Sequence, residues 1–251
     1  MTDNDHGDVG KNRRRRVLYG RRMGRPLRVE RRKLMEELLP AVRIDLTGAA
    51  PASLDPRSLF ARPVFAAEAL PPPAETWLEV GFGGGEHMCA QAAANARVGI
   101  IGCEPFVNGV ASALQHIDGG RLENVRLHPD HARAVIDALA PASLARVYVL
   151  FPDPWPKARH AKRRFISDAN LDALARVLRP GGLLVVGSDD CGYIRWALAR
   201  ALAHPAFEWT AERAADWRER PAGQPPSRYE EKAREKGISP VFLVFRRRSG
   251  F

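Results

Sequence analysis

The sequence predicts an α/β protein built on a mostly parallel sheet with helices on both faces. Three observations carry that prediction. From Thr76 onward, short β-like runs alternate with stretches whose apolar residues recur at helical spacing. Glycine-rich or proline-rich turns close successive runs, where open sheets of this kind present their ligands. The chain of 251 residues is 45% hydrophobic and 27% charged, enough apolar material for a real core.

The elements follow in order. Residues 1–33 hold twelve Lys and Arg against four Asp and Glu, a net of +8 out of the chain's +10, and are expected to form a basic, flexible arm. Residues 34–75 form an extension broken by Pro51, Pro56, Pro63 and the stiff connector Pro71-Pro72-Pro73, expected to pack on the core. Residues 76–251 form the main domain. Its β-like runs are residues 77–80, 98–103, 125–127, 147–151, 183–187 and 241–245. Its helical stretches are 86–95, 107–117, 131–139, 166–178 and 193–203.

Composition excludes several classes. No apolar run approaches the roughly 18 residues of a membrane span. No apolar h-region follows the first arginines, so no secretory leader is expected. Cys89, Cys103 and Cys191 are odd in number and widely spaced, which implies neither a disulfide framework nor a metal site and fits a reducing cytoplasm.

The first chemical motif is Leu78-Glu79-Val80-Gly81-Phe82-Gly83-Gly84-Gly85-Glu86, a strand ending in a glycine turn before a helix. Gly81 and Gly83 permit positive φ and a close ligand approach, and the helix start offers free N–H groups. The dinucleotide fingerprint requires glycine where Glu86 stands. A pyrophosphate would also meet Glu79 and Glu86. A cationic ligand without phosphate suits the turn better, and S-adenosylmethionine is such a ligand. Glu104, at the tip of the next run, is placed to accept a ribose diol. After the third run come Asp130 and His131, either of which is a candidate for the adenine amino group, with helix capping as the rival role.

The most informative segment is Phe151-Pro152-Asp153-Pro154-Trp155-Pro156-Lys157, continuing to Arg164. Three prolines fix a carboxylate and an indole at the end of a buried strand. Asp153 can accept from purine N–H groups and Trp155 can stack on the base. Five of the eight residues 157–164 are basic, suited to phosphates. Asp189 follows the fifth run and points toward the same edge, with an N-cap role as its equal rival. Ser227-Arg228-Tyr229-Glu230, after a Pro/Gly loop, are candidates to reach the site from a flap.

At these residues the chain resembles the bacterial tRNA (guanine-N(7)-)-methyltransferase family, over about residues 16 to 248. The resemblance implies a Rossmann-like, seven-stranded class I methyltransferase fold. It implies methyl transfer from S-adenosylmethionine to N7 of guanine 46 in the tRNA variable loop. It places Glu79, Gly81, Gly83, Glu104, Asp153 and either Asp130 or His131 in the cofactor pocket, with Asp153 as the catalytic candidate. Lys157, Asp189, Ser227, Arg228, Tyr229 and Glu230 would hold substrate, and Arg159, His160, Lys162, Arg163 and Arg164 would contact RNA. The family usually has an acidic or amide residue where His131 stands here. The partner expected is tRNA, with no membrane, no metal and no obligate partner subunit, in a monomer or homodimer. Three rivals stand beside this reading. A nicotinamide-dependent oxidoreductase shares the sheet but lacks the fingerprint. A non-catalytic RNA-binding protein leaves Glu79, Glu104 and Asp153 unexplained. A methyltransferase acting on another base atom would use a loop that Asp153-Pro154-Trp155-Pro156 resembles only loosely.

Overall fold

The computed structural model describes residues 22–250. Helix α1 (Val29–Glu37), the short α2 (Leu39–Val42) and a 3-10 turn (Pro56–Phe60) precede the sheet. Strand β1 (Glu75–Val80) leads to α3 (Glu86–Ala94), β2 (Val98–Cys103) to α4 (Val107–Gly120), and β3 (Val125–His128) to α5 (Ala132–Ala138). Strand β4 (Leu144–Leu150) leads through a second 3-10 turn (Ala158–Arg163) to α6 (Asp168–Val177). The rest is β5 (Leu178–Ser188), α7 (Cys191–Ala203), β6 (Phe207–Trp209), α8 (Ala215–Arg218), α9 (Arg228–Glu235) and β7 (Val241–Arg247).

The seven strands lie in the order β3-β2-β1-β4-β5-β7-β6. Strands β1 to β5 are parallel, and β7 runs antiparallel to both β5 and β6. Helices cover both faces, so the parallel strands are nearly continuous apolar runs; β2, Val-Gly-Ile-Ile-Gly-Cys, is buried along its whole length. Successive side chains still alternate between two cores. Leu78, Ile101, Val147, Val149, Leu184 and Val186 pack with Ile136, Leu174 and Ala197 of α5, α6 and α7. Trp77, Ile100, Tyr148 and Val185 pack with Met88, Leu114 and Ile117 of α3 and α4.

Two strands differ from the sequence expectation. Strand β6 has only three residues at the sheet edge, one of them buried, and shows no alternation to detect. Strand β5 begins at Leu178 and takes in Arg179-Pro180-Gly181-Gly182, where a turn is expected. The ladder absorbs this with a register shift between Leu144 and Arg146 on β4.

Helix α1 also begins inside the segment assigned to the arm. Its arginines mask an apolar stripe: Leu34 and Met35 pack against the core, and Arg31 Nε donates to Gln115 Oε1 on α4 at 2.7 Å. Further on, Ile44 donates its amide to the Leu127 carbonyl, and Val42 and Ile44 are buried. Two charged side chains clamp the rest of the extension. Arg126, 3% exposed, donates to the carbonyls of Leu59, Arg62, Glu123 and Val125. Glu123 accepts the amides of Val64 at 2.6 Å and Phe65 at 2.7 Å, and that of Ala66. Burial opposes the Glu123 charge, but the three amides and Arg126 together hold its carboxyl below the ordinary glutamate range.

A depressed folded value means that this clamp stabilises the fold above the ordinary glutamate range and is lost as pH falls through the folded value. Glu123→Gln is expected to cost about 1 to 3 kcal/mol, because the amides of residues 64–66 lose their charged acceptor. Urea melts at neutral pH and again at pH 3 check this: the wild type and variant should differ at neutral pH and converge in acid.

Candidate active site

All five parallel strands end at one edge of the sheet, and the strand order switches direction between β1 and β4, the place where an open α/β sheet leaves a crevice. A cavity of about 800 Å³ lies there. Its walls come from the turns after β1, β2, β3 and β4, from the start of α6 and from Tyr229 of α9. Tyr229 arrives by a different route. Since β7 is antiparallel, its first residue Val241 pairs with Ser188 at the end of β5, which brings the segment preceding β7 to the same edge.

The glycine turn has the conformation its sequence anticipates. Gly81, Gly83 and Gly85 hold φ values of +72°, +58° and +87°. A Cβ on Gly83 would stand 2.9 Å from Tyr229 Cε2, so the glycine makes room for the ring. The opposite wall is as close, since Gly109 of α4 has no space for a side chain against the Gly83 carbonyl.

Glu104 closes the floor. It is 8% exposed and accepts the Gly83 amide at Oε2 and the Phe106 amide at Oε1, both at 2.9 Å. Burial pushes its carboxyl above the ordinary range, the two amides pull it down, and the negative charges of Asp153 and Glu79 push it up again. His131 also lines the cavity, and burial moves its imidazole downward toward the neutral form against the pull of Asp130. Asp130 itself turns to Arg22, at 3.0 Å, and takes the His131 amide.

The loop after β4 is held in an unusual shape. Phe151 and Trp155 both have left-handed φ, +49° and +44°. Such conformations cost of order 1 to 3 kcal/mol and persist where surrounding contacts enforce them. The Phe151 amide donates to the Gly187 carbonyl, and its ring stacks on Tyr229 at 6.2 Å. Arg164 donates to the carbonyls of Pro154 and Trp155 and lies over Trp196, so it shapes the loop as well as lining the cavity. The Arg163 guanidinium lies 4.8 Å from the centre of the Trp155 ring, and His160 meets that ring edge-on. Asp153, Trp155, Lys162 and Arg163 all line the cavity.

The structure therefore brings Gly81, Gly83, Glu104, His131, Asp153, Lys162, Arg163, Arg164 and Tyr229 together around one cavity. Other candidates stand apart from its lining. Glu79 is buried and bonded to His87. Lys157 and Arg159 are exposed, and Arg159 donates to the His160 ring. Asp189 is exposed; the cap of α7 is its neighbour Asp190, which accepts the Tyr193 amide. Ser227 caps α9 by accepting the Glu230 amide, and Arg228 is exposed. Glu230, 1% exposed, pairs with Arg220 and Arg234, each at 3.0 Å, and anchors α9. Arg133, Ser167 and Asn170 line the cavity without any sequence motif to announce them.

The residues present suit an adenosyl ligand that carries positive charge. The buried Glu104 has lone pairs left for a diol, and Glu104 and Asp153 make the lining acidic between the β2 and β4 turns. The volume falls within the usual range for small-molecule sites. Among the described residues, no group of three or more His, Cys, Asp or Glu is placed to hold a metal ion.

Comparison with known proteins agrees with this geometry. Residues 73–242 match a family model described as "Putative methyltransferase". The chain is 52% identical over 232 residues to the tRNA (guanine-N(7)-)-methyltransferase of Rhodospirillum rubrum, covering 92% of this chain and 88% of that one. It is 48% identical over 231 residues to the tRNA (guanine-N(7)-)-methyltransferase of Rhizobium meliloti, covering 92% and 95%. Among solved structures, the 16S rRNA methyltransferase KamB superimposes with a TM-score of 0.50 at 16% identity, over 70% of this chain and 89% of that one. That last likeness is one of fold.

Gly83→Ala is expected to destabilise the protein more than Gly237→Ala. Both glycines hold positive φ, but only at Gly83 would the new methyl meet Tyr229, whereas nothing lies within 4 Å at Gly237. The Tyr229 ring is half-exposed and can turn aside, so thermal unfolding should show only a small excess loss for Gly83→Ala, less than about 1 kcal/mol beyond the shared backbone cost. A much larger excess would mean that the Tyr229 ring is fixed over the glycine turn.

Proposed function

The chain belongs to the tRNA (guanine-N(7)-)-methyltransferase family, and on that premise we propose that it transfers a methyl group from S-adenosylmethionine to N7 of guanine 46 in the tRNA variable loop. The observation that carries this reading is the single cavity in which Gly81, Gly83 and Glu104 share walls with Asp153, Trp155, Lys162 and Arg163. An acidic nucleoside site and an aromatic, basic RNA site thus meet at one sheet edge.

When bound, S-adenosylmethionine supplies a methyl group made electrophilic by a sulfonium. The protein's part is to hold and to orient. Gly81 and Gly83 let the ligand lie against the backbone, Glu104 accepts from the ribose hydroxyls, and His131, the neutral ring at this wall, borders the adenine in place of Asp130. Guanine N7 carries an in-plane lone pair and no proton, so the chain needs no general base. Asp153 accepts from the N–H groups of the guanine Watson–Crick edge, and its charge favours the cationic methylated purine. Trp155 offers a face for the base. Lys157, Arg159, His160, Lys162 and Arg163 meet the phosphates around it, and Asp189, Arg228 and Tyr229 border the substrate. Most of the rate then comes from alignment of two bound reactants.

Arg13 to Arg16 lie outside the described residues, and their place in this reading rests on charge alone: they add salt-sensitive affinity for tRNA. No helix among the described residues is long and apolar enough to cross a membrane. The tRNA-modifying reading itself places the enzyme in the cytoplasm.

Incubation with isotopically labelled S-adenosylmethionine and bulk tRNA, then nucleoside digestion, should yield 7-methylguanosine; label on another base atom would refute the assignment. Asp153→Asn should lower kcat by about 100-fold or more while calorimetry still detects the cofactor. Changing Arg13, Arg14, Arg15 and Arg16 to Ala should raise the Kd for tRNA and flatten its salt dependence, by about 0.7 to 0.9 in log–log slope for each phosphate no longer neutralised. Turnover at saturating tRNA should change much less; the reverse pattern would place the arginines in the transfer step.

A further inference from the structure

The bond between His87 Nδ1 and Glu79 Oε2 is 2.6 Å long and joins two side chains that belong to residues each 3% exposed. Nothing in the mechanism above uses it. Its place in the chain is informative. Glu79 is the penultimate residue of β1 and His87 the second residue of α3, so the bond closes the base of the loop whose Gly81 and Gly83 line the cavity. Three glycines in this loop hold positive φ, and glycine has more conformational freedom to lose than any other residue. The Gly81 amide on the Cys103 carbonyl and the Gly83 amide on Glu104 hold the loop to β2, and the His87–Glu79 bond adds the side-chain tie across its base, which narrows the shapes the loop can take before it binds a ligand.

The chemistry of the pair points the same way. A carboxylate this deeply buried needs a donor, and the acidic groups around it, Glu86 and Glu104, offer none. His87 is the donor. Its other nitrogen, Nε2, is buried without a hydrogen-bond partner among the described residues, and its ring meets Tyr148 edge-on at 4.9 Å. An apolar side chain of the same size would avoid that unsatisfied nitrogen but would strand the Glu79 carboxylate, so the imidazole is kept for the one bond it makes to Glu79. Among the described residues, Glu79 Oε2 is its one hydrogen-bond partner.

We propose that His87 is a positioning residue: by tying Glu79, it holds the glycine loop in the shape that receives the adenosyl ligand. It does not touch the reacting atoms. The inference rests on S-adenosylmethionine being that ligand. A loop held from its base should matter equally to every adenosyl ligand, with or without a sulfonium.

The test is calorimetric titration of the full chain with S-adenosylmethionine and with S-adenosylhomocysteine, which lacks the sulfonium charge. His87→Leu is expected to raise both Kd values together, by about tenfold or more. His87→Asn, which keeps an amide N–H near the Nδ1 position, should restore both. His87→Phe keeps the ring against Tyr148 without the donor; it should behave like His87→Leu and replaces it if that variant does not fold. Amide hydrogen exchange over residues 80–86 should quicken in the donor-less variants and recover in His87→Asn, while kcat at saturating cofactor stays near that of the wild type. Unchanged affinity, a weakening confined to S-adenosylmethionine, or no rescue by Asn would each overturn the proposal. A wild-type chain that binds neither nucleoside would overturn the cofactor reading itself, and the proposal with it.

Discussion

Parallel pairing is the constraint on which the rest of this structure depends. Strands β1 to β5 point the same way, so each must be followed by a crossover, and every crossover leaves from the same edge of the sheet. The turns that carry Gly83, Glu104, His131 and Asp153 are distant in sequence and adjacent in space for that reason alone. The single reversal, β7, extends the same logic. Running antiparallel beside β5, it starts where β5 ends, and so the residues just before it reach the cavity from the far side of the chain.

Within that frame the site is held by backbone rather than by charge pairs. Glu104 is secured by the amides of Gly83 and Phe106, and the loop after β4 by the Gly187 carbonyl and the donors of Arg164. Such bonds leave the Glu104 and Asp153 carboxylates without a neutralising ion pair among the described residues. The accumulated negative charge, which burial and mutual repulsion make costly at Glu104, is what a cationic ligand would relieve. Arg22, paired with Asp130, and Arg220 and Arg234, paired with Glu230, lie outside the cavity lining, whereas Arg133 lines it while paired with Asp137.

The charge pattern of the sequence is resolved differently by the fold. Its basic N-terminal segment looks uniform when counted, yet α1 begins inside it and carries Leu34 and Met35 onto the core and Arg31 onto Gln115 of α4, and Arg22 reaches the β3 turn. Of the basic run after Trp155, Arg164 turns partly inward to the loop carbonyls, Arg163 lies over the indole, and Arg159 stays at the surface. Counting charges finds such a cluster but cannot sort its members. That depends on which carbonyls and rings the loop leaves within reach.

Local sequence determined the elements that repeat a local rule. Short apolar runs of three to six residues marked the buried strands, since only a strand covered on both faces needs them; β2 lies where its run does. The glycine turn and the proline-fixed Asp153 loop were legible because their backbone shapes demand those residues. Tertiary structure decided what depends on distant partners. It gave β6 its place through pairing with β7, and extended β5 back through a Pro-Gly-Gly segment that looks like a turn. It separated His131 from Asp130 by offering Asp130 an arginine 108 residues away. It paired Glu230 with Arg220 and Arg234 at the anchor of α9 and set His87 beneath the glycine loop. None of these has a local signature, because a hydrogen bond between distant residues is chosen by where the folded chain brings donor and acceptor together, and spacing along the sequence does not carry that information.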